Sequence, residues 1–290
     1  MCWNFLGNYI PKRHCVKCDQ PGTLSGIDPK KATYCKPCFV IAVKHKFAST
    51  IGKRRLFKDG NRRETLIVYE GNPQSAFLLS SVFQGMKAEK NKRLILVPTV
   101  YHYKLLSSCA SSSMRLELVS LVRDLLTVQV ARCLGIDKVM MPDCAEDLAG
   151  RALSSLAFGR GSSSIACLTE VVDKRFKDTS IIRPLHDICL KEIALINRFD
   201  GCDEYVIHTS NSFPNPSMEK SVQSITVDFL GHQQAEGFKG VINTILSTSA
   251  KLQFPSSKST ICSLCCSSFL CDSKERFVCY KFDFLASFGF

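Results

Sequence analysis

Between residues 40 and 56 the apolar side chains Ile41, Phe47 and Ile51 recur at helical spacing among basic ones, which predicts a basic amphipathic helix. The period then changes. Thr65-Leu-Ile-Val-Tyr69 is a short unbroken apolar run between Gly60-Asn61 and Gly71-Asn72, the pattern of a strand buried on both faces. Residues 75–87, with Phe77, Leu78, Leu79, Val82 and Phe83, predict a helix, and Arg93-Leu-Ile-Leu-Val97 a second strand. Strand, helix, strand in that order is a βαβ unit and implies a parallel sheet. A serine-rich stretch, Ser107–Ser113, leads into a long helix ending near Leu134, closed by Gly135. Lys138-Val-Met-Met141 is another short strand. Asp143, with Glu146 three residues on, reads as a capping box opening a helix over 144–158, and Gly159 sits where a C′ glycine belongs. Gly159-Arg160-Gly161 and the three serines after it predict a mobile, basic turn. Ser180-Ile-Ile-Arg183 predicts a strand, and a helix should run from Asp187 to Phe199. From Asp200 the alternation stops: a loop at Ser212–Pro216, helices over 218–230 and 237–252, then a cysteine-rich end. The expected organisation is a small N-terminal unit over 12–41, an α/β domain over 42–200 and a helical C-terminal region over 201–290.

Composition narrows this picture. The chain has 290 residues and 45% hydrophobic content, enough for a sizeable core without help from metals. Its first residues, Met-Cys-Trp-Asn-Phe, lack the basic start of a secretory signal, so free thiols or metal ligation in a reducing compartment are expected for the sixteen cysteines. Met114–Leu134 carries Arg115, Glu117, Arg123, Asp124 and Arg132 and so is not a membrane span. The expectation is a soluble, cytoplasmic protein without a membrane partner. Net charge is +12, which suits a polyanionic partner. Over 44–63 the chain holds Lys44, Lys46, Lys53, Arg54, Arg55, Lys58, Arg62 and Arg63 against Asp59. Such a cluster can neutralise several phosphates, although a solvated helix face has the same look. Lys53, Arg54 and Arg55, with Arg160 as a second site, are the candidate nucleic-acid contacts.

The sharpest chemical signal is Cys15-Val-Lys-Cys18 and Cys35-Lys-Pro-Cys38, sixteen residues apart. A C-x2-C turn aims two thiolates at one point, and two such turns build a four-sulfur tetrahedral site suited to structural zinc. A redox pair belongs beside a βαβ unit, and none precedes it; a disulfide pair is the other alternative. Cys262 and Cys265, with Cys279 and either Cys266 or Cys271, are candidates for a second metal site. Cys109, Cys133, Cys144, Cys167 and Cys189 are scattered and read mostly as buried structural thiols.

In a doubly wound sheet, ligands bind at the carboxyl ends of the strands. The first such loop is Tyr69-Glu-Gly-Asn-Pro-Gln-Ser-Ala76. On its chemistry alone it is a poor phosphate cradle: one glycine, a proline without an N–H, and an acid. The ribbon, Val43-Lys-His-Lys-Phe47 with Gly52-Lys53, the loop, Lys138-Val-Met-Met-Pro-Asp143, Leu156-Ala-Phe-Gly-Arg-Gly161, Ile182-Arg-Pro-Leu185 with Lys191-Glu-Ile193, Gln253-Phe-Pro-Ser256 and Cys262-x2-Cys265 follow one another in an order that resembles the cytoplasmic tRNA 2-thiolation protein 2 family, over roughly 12–282. The resemblance implies a Rossmann-like fold of the PP-loop ATP pyrophosphatase type with an N-terminal zinc ribbon. It implies the second subunit of the cytosolic tRNA thiouridylase, a complex that replaces the 2-oxygen of wobble uridine 34 with sulfur. A catalytic PP-loop subunit adenylates the uridine, and sulfur arrives on a ubiquitin-related carrier.

The sequence departs from the PP-loop pattern Ser-Gly-Gly-x-x-Ser-Ser. Glu70 stands at the first serine, Asn72 at the second glycine and Ala76 at the last serine; Gly71 and Ser75 remain. A carboxylate repels pyrophosphate, and an asparagine fits close backbone approach less well than glycine. ATP is therefore not expected on this chain, and a non-catalytic subunit is. The segment between Val97 and Met114 is also far shorter than the family pattern implies, which predicts a smaller sheet or a shortened chain. Two rival readings are an ATP-dependent tRNA sulfurtransferase acting alone and a zinc-ribbon RNA- or protein-binding module unconnected with thiolation.

Overall fold

The computed structural model describes residues 14–25, 32–57, 62–89, 93–102, 112–159, 162–207, 221–236, 238, 240–252, 259–262, 266 and 268–270. At its centre is a five-stranded sheet of order β4-β3-β5-β7-β6, built from β3 (Glu64–Tyr69), β4 (Val97–His102), β5 (Lys138–Met140), β7 (Ser180–Ile182) and β6 (Val172–Asp173). The pairs β3–β4, β3–β5 and β5–β7 are parallel, and β6 closes one edge antiparallel to β7.

The two-residue period of the strands divides the core into layers. Ile67, Met140 and Ile182 point to one face, where they meet α1 (Lys36–Lys53), α2 (Pro73–Lys87) and α6 (Leu190–Asp200) through Phe39, Val43, Phe77, Leu78, Ile193 and Ile196. Their neighbours Leu66, Val68, Val139, Met141 and Ile181 point to the other face and meet Val128 and Ala131 of α3 (Ser112–Cys133). On α3 the buried positions Asp124, Thr127, Val128 and Ala131 keep the i, i+3, i+4, i+7 stripe of a core-facing helix. A third cluster joins α4 (Ala145–Ala157) to α7 (Val222–Ala235) and α8 (Val241–Ser249) through Leu148, Leu230, Ile242 and Leu246. The remaining elements are α5 (Ser162–Thr169), a 3₁₀ turn at Cys202–Tyr205, and two small hairpins, β1 (Leu24–Ser25) with β2 (Thr33–Tyr34) and β8 (Ser259–Ile261) with β9 (Ser268–Leu270).

Several boundaries differ from those the sequence predicts, each for a local reason. Helix α1 begins at Lys36, not 40, because Pro37 fits the first turn of a helix. Residues 93–96 are not strand: Leu94 N–H donates to Gly85 O, so this stretch closes the turn onto α2 and β4 starts at Val97. Pro98 is tolerated in β4 because β4 is an edge strand. Asp143 is not the cap of α4. Cys144 is, and the Asp147 carboxylate accepts its N–H at 3.0 Å. Gly159, at φ +66°, ends that helix as expected. Helix α6 starts at Leu190 behind a Cys189–Glu192 box; Asp187 instead pairs with His186. The serines after Gly161 open helix α5 rather than a mobile turn. The two-residue strand β6 is too short to carry a pattern. The expected loop over 212–216, the start of the helix expected at 218 and the C-terminal tail lie outside the described residues.

One buried ion cluster ties α3 and α4 to the carboxyl end of the sheet. Asp143, 4% exposed, follows β5 and faces three arginines. Arg123 of α3 reaches it at 3.1 Å, Arg151 of α4 at 3.2 Å and Arg183, just after β7, at 3.5 Å. Arg183, 1% exposed, also pairs with Asp173 of β6 and donates to Glu170 O at 2.7 Å. Burial pushes the Asp143 carboxyl up, but the three guanidinium groups outweigh it and hold it well below the usual carboxylate range. Its contribution to stability is therefore present above about pH 4, the ordinary carboxyl value, and is lost only as pH falls through the depressed folded value. We expect Asp143→Asn to cost about 3–5 kcal/mol in chemical denaturation, since it leaves buried charges without their partner. The loss between pH 4 and pH 7 should be constant; a variant as stable as the wild type would refute the assignment.

Candidate functional site

Three of the sequence's chemical signals fall within the described residues, and the structure sets them well apart. The four N-terminal cysteines converge: their sulfurs all lie within 4.8 Å of one another. Cys18 Sγ is 3.6 Å from Cys35 Sγ and 3.7 Å from Cys38 Sγ. Four thiolates about 2.3 Å from one tetrahedral ion stand about 3.8 Å apart, so the donor set fits a single metal ion. The first pair sits on a turn fixed by Cys15 N–H donating to Gln20 O and Val16 N–H to Thr33 O. Gly22 lets the two arms approach: a Cβ there would lie 2.8 Å from Thr33 Oγ1. The second pair is the start of α1, whose Phe39 and Val43 belong to the main core. Burial pushes the Cys15 thiol up, but backbone N–H groups around it prevail and bring it down to about 6. Neighbouring sulfurs push Cys38 up to about 12. Without a cation the four sulfurs thus share few charges, and a cation is what lets all four ionise.

The basic stretch is not one patch. Lys44 pairs with Asp200 at 2.8 Å, Lys46 with Glu192 at 2.7 Å, and Arg62 donates to Gly135 O. Lys53, Arg54 and Arg55 are exposed at the far end of α1. An 18-residue helix separates them from the cysteines by about 27 Å. Arg55 takes φ 51°, a left-handed conformation that costs a non-glycine residue about 1 kcal/mol and that glycine usually fills at a helix end. Lys58 and Arg160 lie outside the described residues.

The third signal is the loop after β3. The chain passes from β3 to β4 on one side and from β4 to β5 on the other, so the crevice between the carboxyl ends of β3 and β5 is the sheet's switch point. A cavity of about 260 Å³ opens there, lined among others by Glu70, Asn72, Arg123, Asp143, Asp147 and Arg151. Gly71, at φ +77°, packs against Ile207, and a Cβ would come within 3.0 Å of that side chain. The loop's polar groups satisfy each other. Asn72 Oδ1 accepts the Ser75 N–H at 2.8 Å and caps α2, and Asn72 Nδ2 donates to Glu70 Oε2 at 2.9 Å. Glu70 Oε1 takes Arg123 at 3.3 Å. Ser75 is fully buried and donates its hydroxyl to Asn72 O.

Sequence reasoning missed the arginines of this cleft. Arg123-Asp124 interrupts an apolar helix, and that is the signal that could have revealed them; it served only to exclude a membrane span. Of the scattered thiols, Cys144, Cys167 and Cys189 are buried, with burial pushing Cys167 up to about 11 and Cys189 to about 12, Cys133 is exposed, and Cys109 lies outside the described residues. Of the second cysteine group, Cys262 is buried and Cys266 N–H donates to Cys262 O; Cys265, Cys271 and Cys279 lie outside the described residues. No helix among the described residues is long and apolar enough to cross a membrane.

The mostly parallel sheet flanked by helices is a fold also found in a tRNA thiolase. The chain superimposes on the U34-tRNA thiolase NcsA from Methanococcus maripaludis, solved with its [4Fe-4S] cluster, with TM-score 0.66 over 97% of this chain and 98% of that one, at 16% identity. No family model matches the sequence. Curated relatives do. The cytoplasmic tRNA 2-thiolation protein 2 of Caenorhabditis elegans is 32% identical over 310 positions, covering 85% of this chain and 87% of that protein. The Caenorhabditis briggsae protein of the same name is 31% identical, covering 91% and 92%. The chain belongs to the cytoplasmic tRNA 2-thiolation protein 2 family. The zebrafish relative is 35% identical over 54% of this chain. The C. elegans alignment has more positions than this chain's 290 residues, so that relative contains stretches with no counterpart here.

Metal analysis of the full chain should lose one equivalent of metal, the ion held by the N-terminal thiolates, on Cys18→Ser or Cys38→Ser. Chelation should lower the melting temperature. An unchanged metal content in both variants would overturn the ligand set.

Proposed function

We propose that this chain is the non-catalytic subunit of a cytoplasmic complex that 2-thiolates wobble uridine 34 of tRNA, and that its roles are tRNA docking and assembly with a catalytic PP-loop subunit. The observation that carries this reading is the state of the loop after β3. In a nucleotide-binding loop the backbone N–H groups face the phosphates. Here the Ser75 N–H is spent on Asn72, and a carboxylate faces the cleft. Adenylation would then fall to the partner, and sulfur would come from a ubiquitin-related carrier acting on that partner. The names of the family and of the thiolase neighbour support a place in tRNA thiolation.

Zinc is the metal we assign to Cys15, Cys18, Cys35 and Cys38, because an all-thiolate tetrahedral set is its usual structural site. Its role is structural: it would hold the ribbon to the start of α1. The second cysteine group, Cys262 with Cys265, Cys271 and Cys279, is the place for a second ion. Lys53, Arg54 and Arg55 are assigned to tRNA phosphates. An arginine kept in the left-handed conformation at position 55, where glycine would be cheaper, suits a surface selected for charge.

Two measurements test this. Arg55→Gly should stabilise the fold slightly, by up to about 1 kcal/mol, yet weaken tRNA binding in a gel-shift assay. Binding should also drop steeply with salt and discriminate little between sequences, as phosphate contacts do. Unchanged affinity for Lys53→Glu/Arg54→Glu/Arg55→Glu at low salt would remove these residues from the interface.

Calorimetry of the purified chain with ATP and magnesium should show no micromolar binding, and co-purification should recover a homologous subunit with an intact PP-loop. Cleavage of ATP to AMP by this chain alone would favour a self-sufficient sulfurtransferase. Unchanged tRNA 2-thiouridine on loss of the gene would favour a binding module outside thiolation.

A further inference from the structure

We propose that Glu70 is a built-in plug: its carboxylate occupies, beside Arg123, the place in the cleft that an anionic ligand would take, and so decides what the cleft admits. The proposal rests on the reading of this chain as one that does not use ATP, and it supplies the physical cause.

The cleft itself is intact. A cavity of about 260 Å³ persists at the switch point of the sheet, with Arg123 and Arg151 on its wall. Their side chains are 10% and 20% exposed, so both charges sit where water screens them little. Two guanidinium groups in such a place are the ordinary equipment for holding a phosphate. What differs is the occupant. Glu70 Oε1 lies 3.3 Å from Arg123 Nη1, and Glu70 Oε2 takes the Asn72 amide at 2.9 Å. The same Asn72 closes the start of α2, so one side chain both consumes a backbone donor and aims the carboxylate.

The other carboxylates lining the cavity have separate duties. Asp143 is shared by Arg123, Arg151 and Arg183 as the structural anchor. Asp147 accepts the Cys144 N–H at the start of α4. Glu117 accepts the Gln223 amide at 2.7 Å. Glu70 is the one delivered by the loop between β3 and α2, and removing its charge leaves Asp143 to hold the framework.

The test uses the full-length chain and sodium pyrophosphate as the probe. Glu70→Gln conserves size and shape while removing the charge. In titration calorimetry this variant should bind pyrophosphate at least tenfold more tightly than the wild type, and the gained affinity should weaken with salt. Adding Arg151→Gln should cancel the gain, with circular dichroism confirming the fold of each variant. If the folded Glu70→Gln chain binds no better than a wild type that does not bind, the plug is refuted while the non-catalytic reading stands. If the wild type already binds pyrophosphate as tightly as the variant, both fall.

Discussion

Most of this fold hangs on Asp143. Its carboxylate is buried at the carboxyl end of β5 and is contacted by guanidinium groups from α3, from α4 and from the segment after β7. A lone carboxylate in that position would be costly, and so would three arginines without it. Together they fix α3, α4 and the carboxyl end of the sheet to one another. Arg183 extends the cluster to Asp173 on the antiparallel edge strand, where Arg175 adds a 2.7 Å contact. Hydrophobic burial brings α3 against the sheet and α4 against α7 and α8, and the ions define where they stop.

The same cluster forms the back wall of the cleft. A nucleotide site at this point of a doubly wound sheet needs small residues in the loop and unspent donors. This chain has spent them inward: Asn72 on α2, Glu70 on Arg123. The cleft has therefore become part of the folded core's electrostatics.

Helix α1 links the four-cysteine unit to the rest. Its first turn carries Cys38, its buried face carries Phe39, Val43, Phe47 and Ile51, and its last turn carries Lys53. Packing of that face orients the cysteine unit relative to the sheet. Helix length, about 27 Å, sets the separation between the cysteine end and the basic end. Two features adjacent in sequence thus serve different parts of the surface.

Much was legible from residue order alone. The C-x2-C pairs declared their convergence because a metal site depends on short-range turns. The strands β3, β5 and β7 were legible because a two-face burial leaves an unbroken apolar run, and Gly159 because a helix end needs a left-handed residue. The loop's departure at Glu70 and Asn72 was visible too. Only tertiary structure decided what the charged residues do. Asp143 looked like a helix cap, and Lys44, Lys46 and Arg62 looked like members of a phosphate-binding cluster. Pairing between charges far apart in the chain leaves no periodic trace, so Arg123 meeting Asp143 and Lys46 meeting Glu192 had to await the fold. For the same reason β4 was misplaced by a few residues: register is set by the neighbouring strand, and Glu64 aligns with Val97.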